Sequence, residues 1–192
     1  MDKKETIINA ARETFAAKGY HGACMDEIAE SAGVAKGTLY LYFTNKEELF
    51  ATVIMRLLAK TEEWVEIAEN LEAGTWEKIE TMVKTALDYF SRNKEVFSIL
   101  QRETPLQTLP SEQDMGKQIK DLMRSRVERL ARFFAAQRKE GGISDSFTDR
   151  EAAFLCLNVV EGIVRRFLEG WEEDTEKNAM LAVRFLKNGL SR

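Results

Sequence analysis

The chain has 192 residues, 44% of them hydrophobic, and carries 28 basic against 32 acidic side chains for a net charge of −4. That length allows one domain or two small ones, with apolar content enough for a sizeable core. No apolar run approaches the ~20 residues of a membrane span, and the charged start MDKKETIINAARETF is unlike a signal peptide, so a cytoplasmic protein is expected. One histidine and two isolated cysteines, Cys24 and Cys156, with no glycine-rich phosphate loop, argue against a metal site, a disulfide framework, a cofactor or an enzyme.

Two prolines among long periodic runs predict an all-α chain of about nine helices. The first runs from Lys3 to about Lys18, with Ile7, Ala11 and Phe15 in one stripe, and stops at Gly19-Tyr20. A short amphipathic helix follows Cys24, with Met25, Ile28, Ala29 and Ala32 on one face. Gly33 breaks it with the positive φ that a tight turn needs. A second short helix starts near Lys36, with Leu39 and Phe43 inward and Lys36, Thr38, Leu41 and Tyr42 outward. Two short helices about a glycine turn form a helix–turn–helix, whose second helix can enter the DNA major groove.

Residues 5–50 resemble the TetR family of bacterial transcriptional regulators, in the runs IINAARETFAAKGY, MDEIAESAGVAKGTLYLYF and TNKEELF. The resemblance implies that Lys36, Gly37, Thr38, Tyr40, Leu41 and Tyr42 face DNA and that Lys46 meets its backbone. Thr38 and Leu41 suit base reading because their apolar groups can meet a thymine methyl. Cys24 and Ala35 stand where the family commonly has hydroxyls, which is expected to weaken backbone binding somewhat without touching base readout. Cys24 is then either an inert small residue at a helix cap or a redox-sensitive thiol beside DNA. Six basic and six acidic groups balance over the first 46 residues, so affinity is expected from a few placed cations and two copies acting together.

Residues 1–46 are accordingly expected to form a three-helix DNA-binding domain, and 47–192 a larger helical domain for ligand binding and dimerisation. Asn45 and Glu48 form a capping box for one long helix reaching Leu71, ~39 Å at 1.5 Å per residue, a lever between head and body. Helices over 75–92, 94–102, 111–140, 149–171 and 175–190 follow. The helices over 149–171 and 175–190 are apolar over a wide arc and so need cover on more than one side. Cys156, Val160, Ile163, Phe167, Ala179, Val183 and Leu186 are the expected faces of a homodimeric four-helix contact, which is also what the resemblance implies.

Arg126 falls near the middle of an apolar face, and a buried arginine needs a carboxylate or an anionic ligand. It is either a ligand-reading cation or a structural partner of Glu103 or Glu161. Trp64, Met82, Phe90, Phe97, Met123 and Phe134 could line an apolar cavity with it, and Glu161 flanks the same region. The resemblance implies a homodimeric repressor on a palindromic double-stranded operator, released by a small, largely apolar effector. An activator or a protein-controlled regulator without a small ligand is the alternative, and a helical enzyme the remote one.

Overall fold

The computed structural model describes residues 2–94 and 114–191 and is all-helical over them. The helices are α1 (Lys3–Gly22), α2 (Met25–Ser31), α3 (Lys36–Tyr42), α4 (Lys46–Ala59), α5 (Thr61–Glu69), α6 (Thr75–Arg92), α7 (Asp114–Lys139), α8 (Asp149–Leu168) and α9 (Thr175–Leu190). No helix among the described residues is long and apolar enough to cross a membrane. The short helix expected over 94–102, and with it Phe97 and Glu103, lies outside the described residues apart from Lys94.

The chain divides into two compact units, one running to Leu58 and taking in the start of α7 up to Asp121, the other comprising Ala59–Arg92 and the chain from Leu122. In the first, α1 packs on α2 and α2 on α3. Its core holds Ile7, Phe15, Ile28, Leu39, Phe43, Leu49 and Phe50. Phe15 meets Phe50 edge-on with ring centroids 5.0 Å apart, and each such buried side chain stabilises the fold by about 1.5–3 kcal/mol. Asp2 caps α1 through the Lys4 amide at 3.1 Å. The helix continues past the expected stop: Gly19 makes a kink (φ 72°, ψ 173°) and one more turn reaches Gly22.

The turn after α2 is as expected. Gly33 adopts φ 63°, the Val34 amide donates to the Ala29 carbonyl at 3.0 Å and the Gly33 amide to Glu30 at 3.0 Å, which is a Schellman closure. The capping box before α4 is only half as expected. Asn45 Oδ1 accepts from the Glu48 amide at 2.8 Å, but the Glu48 carboxylate reaches back to Thr44, taking its amide and hydroxyl at 2.7 Å each.

The single helix expected to reach Leu71 is two. α4 ends at Ala59 and α5 begins at Thr61, with a turn at Lys60. Lys60 keeps right-handed helical angles (φ −59°, ψ −19°) and its carbonyl still accepts from the Trp64 amide at 3.3 Å. The backbone at the junction thus stays locally helical, which is why the apolar periodicity did not reveal the break.

In the second unit α6 packs chiefly on α9 and α5, and α8 on α9 and α6. α6 spans the expected residues and buries Ile79, Met82, Val83, Ala86, Leu87 and Phe90. Glu69 and Arg129 form a two-pronged ion pair at 2.8 and 2.5 Å. Thr148 and Glu151 make a full capping box for α8, and Asp174 caps α9. α8 stops at Leu168, short of the expected Trp171, which is exposed. Arg138 binds the α7–α8 loop, with Nε on Asp149 at 2.8 Å and a second nitrogen on the Phe147 carbonyl at 2.7 Å. Gly142 in that loop lies so close to Thr75 that a Cβ would sit 2.2 Å from its hydroxyl oxygen and 2.5 Å from its Cβ.

Candidate nucleic-acid interface and effector cavity

α3 owes its outward face to its sequence. Leu39 and the following Phe43 are buried, which turns the intervening residues outward. Leu41 is 85% exposed, and Tyr40 and Tyr42 are exposed to a lesser degree, at 42% and 38%. Thr38 is half-buried and Gly37 exposed, and a Cβ at Gly37 would meet nothing within 4 Å. Gly37 therefore leaves room outside the helix and is not required by packing within the unit. Lys36, at the first helical position, is exposed and pairs with Asp26 of α2 at 2.8 Å.

Lys46 has a role that the sequence did not announce. Its ammonium donates to the Tyr20 carbonyl at 2.8 Å and the Ala23 carbonyl at 3.0 Å, and sits 4.6 Å from the Tyr20 ring centroid. It binds the end of α1 to the start of α4, and its apparently unfavourable place in a first helical turn is offset by these carbonyls. Cys24 occupies the N-cap of α2 without a side-chain capping bond. Glu27 hydrogen-bonds to Lys18 and to Cys24, and the Lys18 contact chiefly holds its carboxyl below the usual range.

A small apolar cavity lies inside the second unit, with room for about 30 Å³. Its wall comprises Trp64, Met82, Val83, Ala86 and Phe90 from α5 and α6, Arg126 and Leu130 from α7, and Cys156, Leu157, Val160 and Glu161 from α8. That volume suits a water molecule or two, so a larger guest requires the walls to part. Arg126 is the polar exception, only 5% exposed. Burial pushes its pKa down while the charge of Glu161 pulls it up. Its guanidinium stands 3.8 Å from the Glu161 carboxylate, longer than a hydrogen bond, and 3.4 Å from the Met123 sulfur.

Of the expected ligand set, Trp64, Met82, Phe90, Arg126 and Glu161 thus meet at one cavity, with Met123 touching Arg126. Phe134 is buried in the core against Phe133 and does not line it. Among the residues expected at a dimer face, Cys156 and Val160 line the cavity, and Ala179, Leu186 and Ile163 are buried within the protomer. Phe167 and Val183 are half-buried. The large apolar side chains left outside on these helices are Phe154, Leu155, Met180 and Phe185. Both sides of each arc are apolar, so the way α8, α9 and α6 pack on one another decides which one faces out.

A glycine-turned helix pair with an exposed second helix is the arrangement of a helix–turn–helix motif, and the other unit of the chain is helical with an apolar cavity of its own. Residues 7–53 match the family model described as "Bacterial regulatory proteins, tetR family". Over 177 residues the chain is 24% identical to the fatty acid metabolism regulator protein of Bacillus subtilis, covering 92% of this chain and 87% of that one. The fold matches the fatty acid degradation regulator FadR of Bacillus halodurans, with TM-score 0.84 at 23% identity over 100% of this chain and 98% of that one. It also matches FadR of Bacillus subtilis in complex with stearoyl-CoA, with TM-score 0.81 at 23% identity over 96% and 98%. Residues 7–53 thus carry the DNA-binding module of the TetR family of transcriptional regulators, and the relatives and structures that the whole chain resembles are regulators rather than enzymes.

Proposed function

We propose that this regulator is a cytoplasmic homodimeric repressor that holds a palindromic operator and releases it on binding a small, largely apolar effector. Residues 1–46 are the DNA-binding domain in this reading, and 47–192 the ligand-binding and dimerisation domain. Lys36, Gly37, Thr38, Tyr40, Leu41 and Tyr42 form the DNA face, where the exposure of Leu41 supports apolar base reading. Lys46, with two of its three donors on backbone carbonyls, has one left for a phosphate. Two copies meet through the outer faces of α8 and α9, a role supported by the exposed Phe154, Leu155, Met180 and Phe185.

The observation that carries the effector is the apolar cavity with a buried guanidinium in its wall. An apolar chain ending in an anionic head group satisfies both features. The stearoyl-CoA bound by the B. subtilis FadR structure and the fatty-acid role in the name of the B. subtilis relative support the same class, a fatty acyl compound.

The test is thermal unfolding with fatty acids, acyl thioesters and the matching uncharged alcohols. A ligand at one hundred times its Kd stabilises by about 2.7 kcal/mol. The acids or thioesters should raise the melting temperature of wild type more than the alcohols do, and lower its affinity for DNA. Arg126→Met should erase the preference for a charged head group. Lowered stability with an unchanged ligand preference would instead make Arg126 a structural partner of Glu161.

A further inference from the structure

Four cations of the helix–turn–helix unit meet partners inside it. Lys18 pairs with Glu27 at 2.8 Å, Lys36 with Asp26 at 2.8 Å, Arg56 with Glu5, and Lys46 with two carbonyls. The Lys36–Asp26 pair is distinguished by its place. Lys36 opens α3 and Asp26 lies in the first turn of α2, so the pair bridges the two helices of the motif. Its side chains are 61% and 60% exposed, so water and a third ion reach it freely. A pair so exposed is weak and readily exchanged.

We propose that Asp26 is an internal stand-in for a DNA phosphate, holding the Lys36 ammonium in the free protein and giving it up when a phosphate takes its place. The proposal rests on α3 being the DNA-reading helix. Asp26 also raises the Lys36 pKa, chiefly by its hydrogen bond.

The exchange has a measurable signature. A lysine that simply meets a phosphate frees condensed counterion from DNA and steepens the salt dependence by about 0.9 in log–log slope. When Lys36 moves from Asp26 to a phosphate, the carboxylate stays nearby and the pair presents no net charge to the DNA. The carboxylate's repulsion offsets the attraction of the ammonium, so the contact adds little affinity at low salt and little slope. Asp26 thereby limits the grip of this nearly neutral unit on DNA of any sequence.

The test measures binding of the full chain to two duplexes over a salt series by fluorescence anisotropy. One duplex has random sequence and the other is selected from a random pool by the wild-type protein. Asp26→Asn should tighten binding to both by about two- to fivefold at low salt and steepen the slope by about 0.9. Glu13→Gln, an equal charge change at an exposed site on α1, should do neither. In a Lys36→Gln background, Asp26→Asn should have no further effect. Tightening of equal size in that background would make Asp26 a general repulsive charge and overturn the exchange. A wild-type slope for Asp26→Asn, with weakened binding by Lys36→Gln, would also overturn it while leaving α3 on DNA. Lys36→Gln and Leu41→Ala both binding like wild type would remove α3 from the DNA and the proposal with it.

Discussion

The two cysteines carry the same thiol in opposite surroundings. Cys24 is exposed at the head of α2, whereas Cys156 is buried in the cavity wall. Burial pushes the Cys156 thiol up from 9.0 to about 12, because a thiolate there would lie among apolar groups. The folded state thus holds this proton more tightly than the unfolded chain does. Its stabilising effect is complete below about pH 9 and is lost as pH rises toward 12, at up to about 1.4 kcal/mol per pH unit. Cys156→Ala should be less stable at neutral pH through its lost volume, yet lose less stability between pH 9 and 11, as urea unfolding would show. A thiol reagent should label one cysteine quickly and the other only on unfolding. Two fast thiols, or identical alkaline slopes, would contradict this assignment. The place of Cys24 at the start of α2 was legible, but the burial of Cys156 in a cavity wall depended on partners distant in sequence.

At the scale of elements, signals carried by neighbouring residues were legible. Gly33 fixed the turn, Leu39 and Phe43 turned α3, and α6 and α9 span the expected residues because their apolar periodicity runs unbroken from end to end. The break at Lys60 was not legible, since Lys60 itself keeps helical angles and the apolar spacing is undisturbed. Lys46 was expected to meet the DNA backbone, and its part as a clamp was not legible, because its carbonyl partners are 23 and 26 residues away. This changes what its removal means. Lys46→Ala leaves two part-buried carbonyls without their donor and should lower the stability of the helix–turn–helix unit by about 1–3 kcal/mol, besides any loss of a phosphate contact. Thermal unfolding read beside DNA affinity separates the two effects. An unchanged melting temperature would reduce Lys46 to a surface charge.

For the whole molecule, composition and periodicity were enough to imply an all-helical chain with more apolar surface than one copy needs. They could not tell inside from outside on α8 and α9, where expectation centred on Cys156, Ala179 and Leu186 but exposure falls on Phe154 and Phe185. The assembly prediction moves accordingly. Phe185, 65% exposed, costs the isolated protomer little when changed, so Phe185→Glu should fold normally and sediment as a monomer, with operator binding weakened through lost bivalency. Val183→Glu is the less clean test, since Val183 is half-buried and its loss also disturbs the protomer. A Phe185→Glu protein that still sediments as a dimer would place the contact elsewhere.

The narrowness of the cavity bears on how sensitively an effector could be detected. With room for only about 30 Å³, the wall must open before a chain-like guest fits, and the measured Kd is weakened by the fraction of molecules already open. Tight wall packing and ligand sensitivity therefore oppose each other. Leu130, fully buried in that wall, sets the balance: Leu130→Ala should unfold more easily, by about 2–5 kcal/mol, and yet bind its ligand more tightly because the space is already there. Weaker binding by Leu130→Ala, in calorimetry at a temperature where it remains folded, would mean that the guest needs the leucine as a contact more than it needs the room. On this view the apolar wall acts as a threshold, setting the concentration below which the regulator ignores its signal.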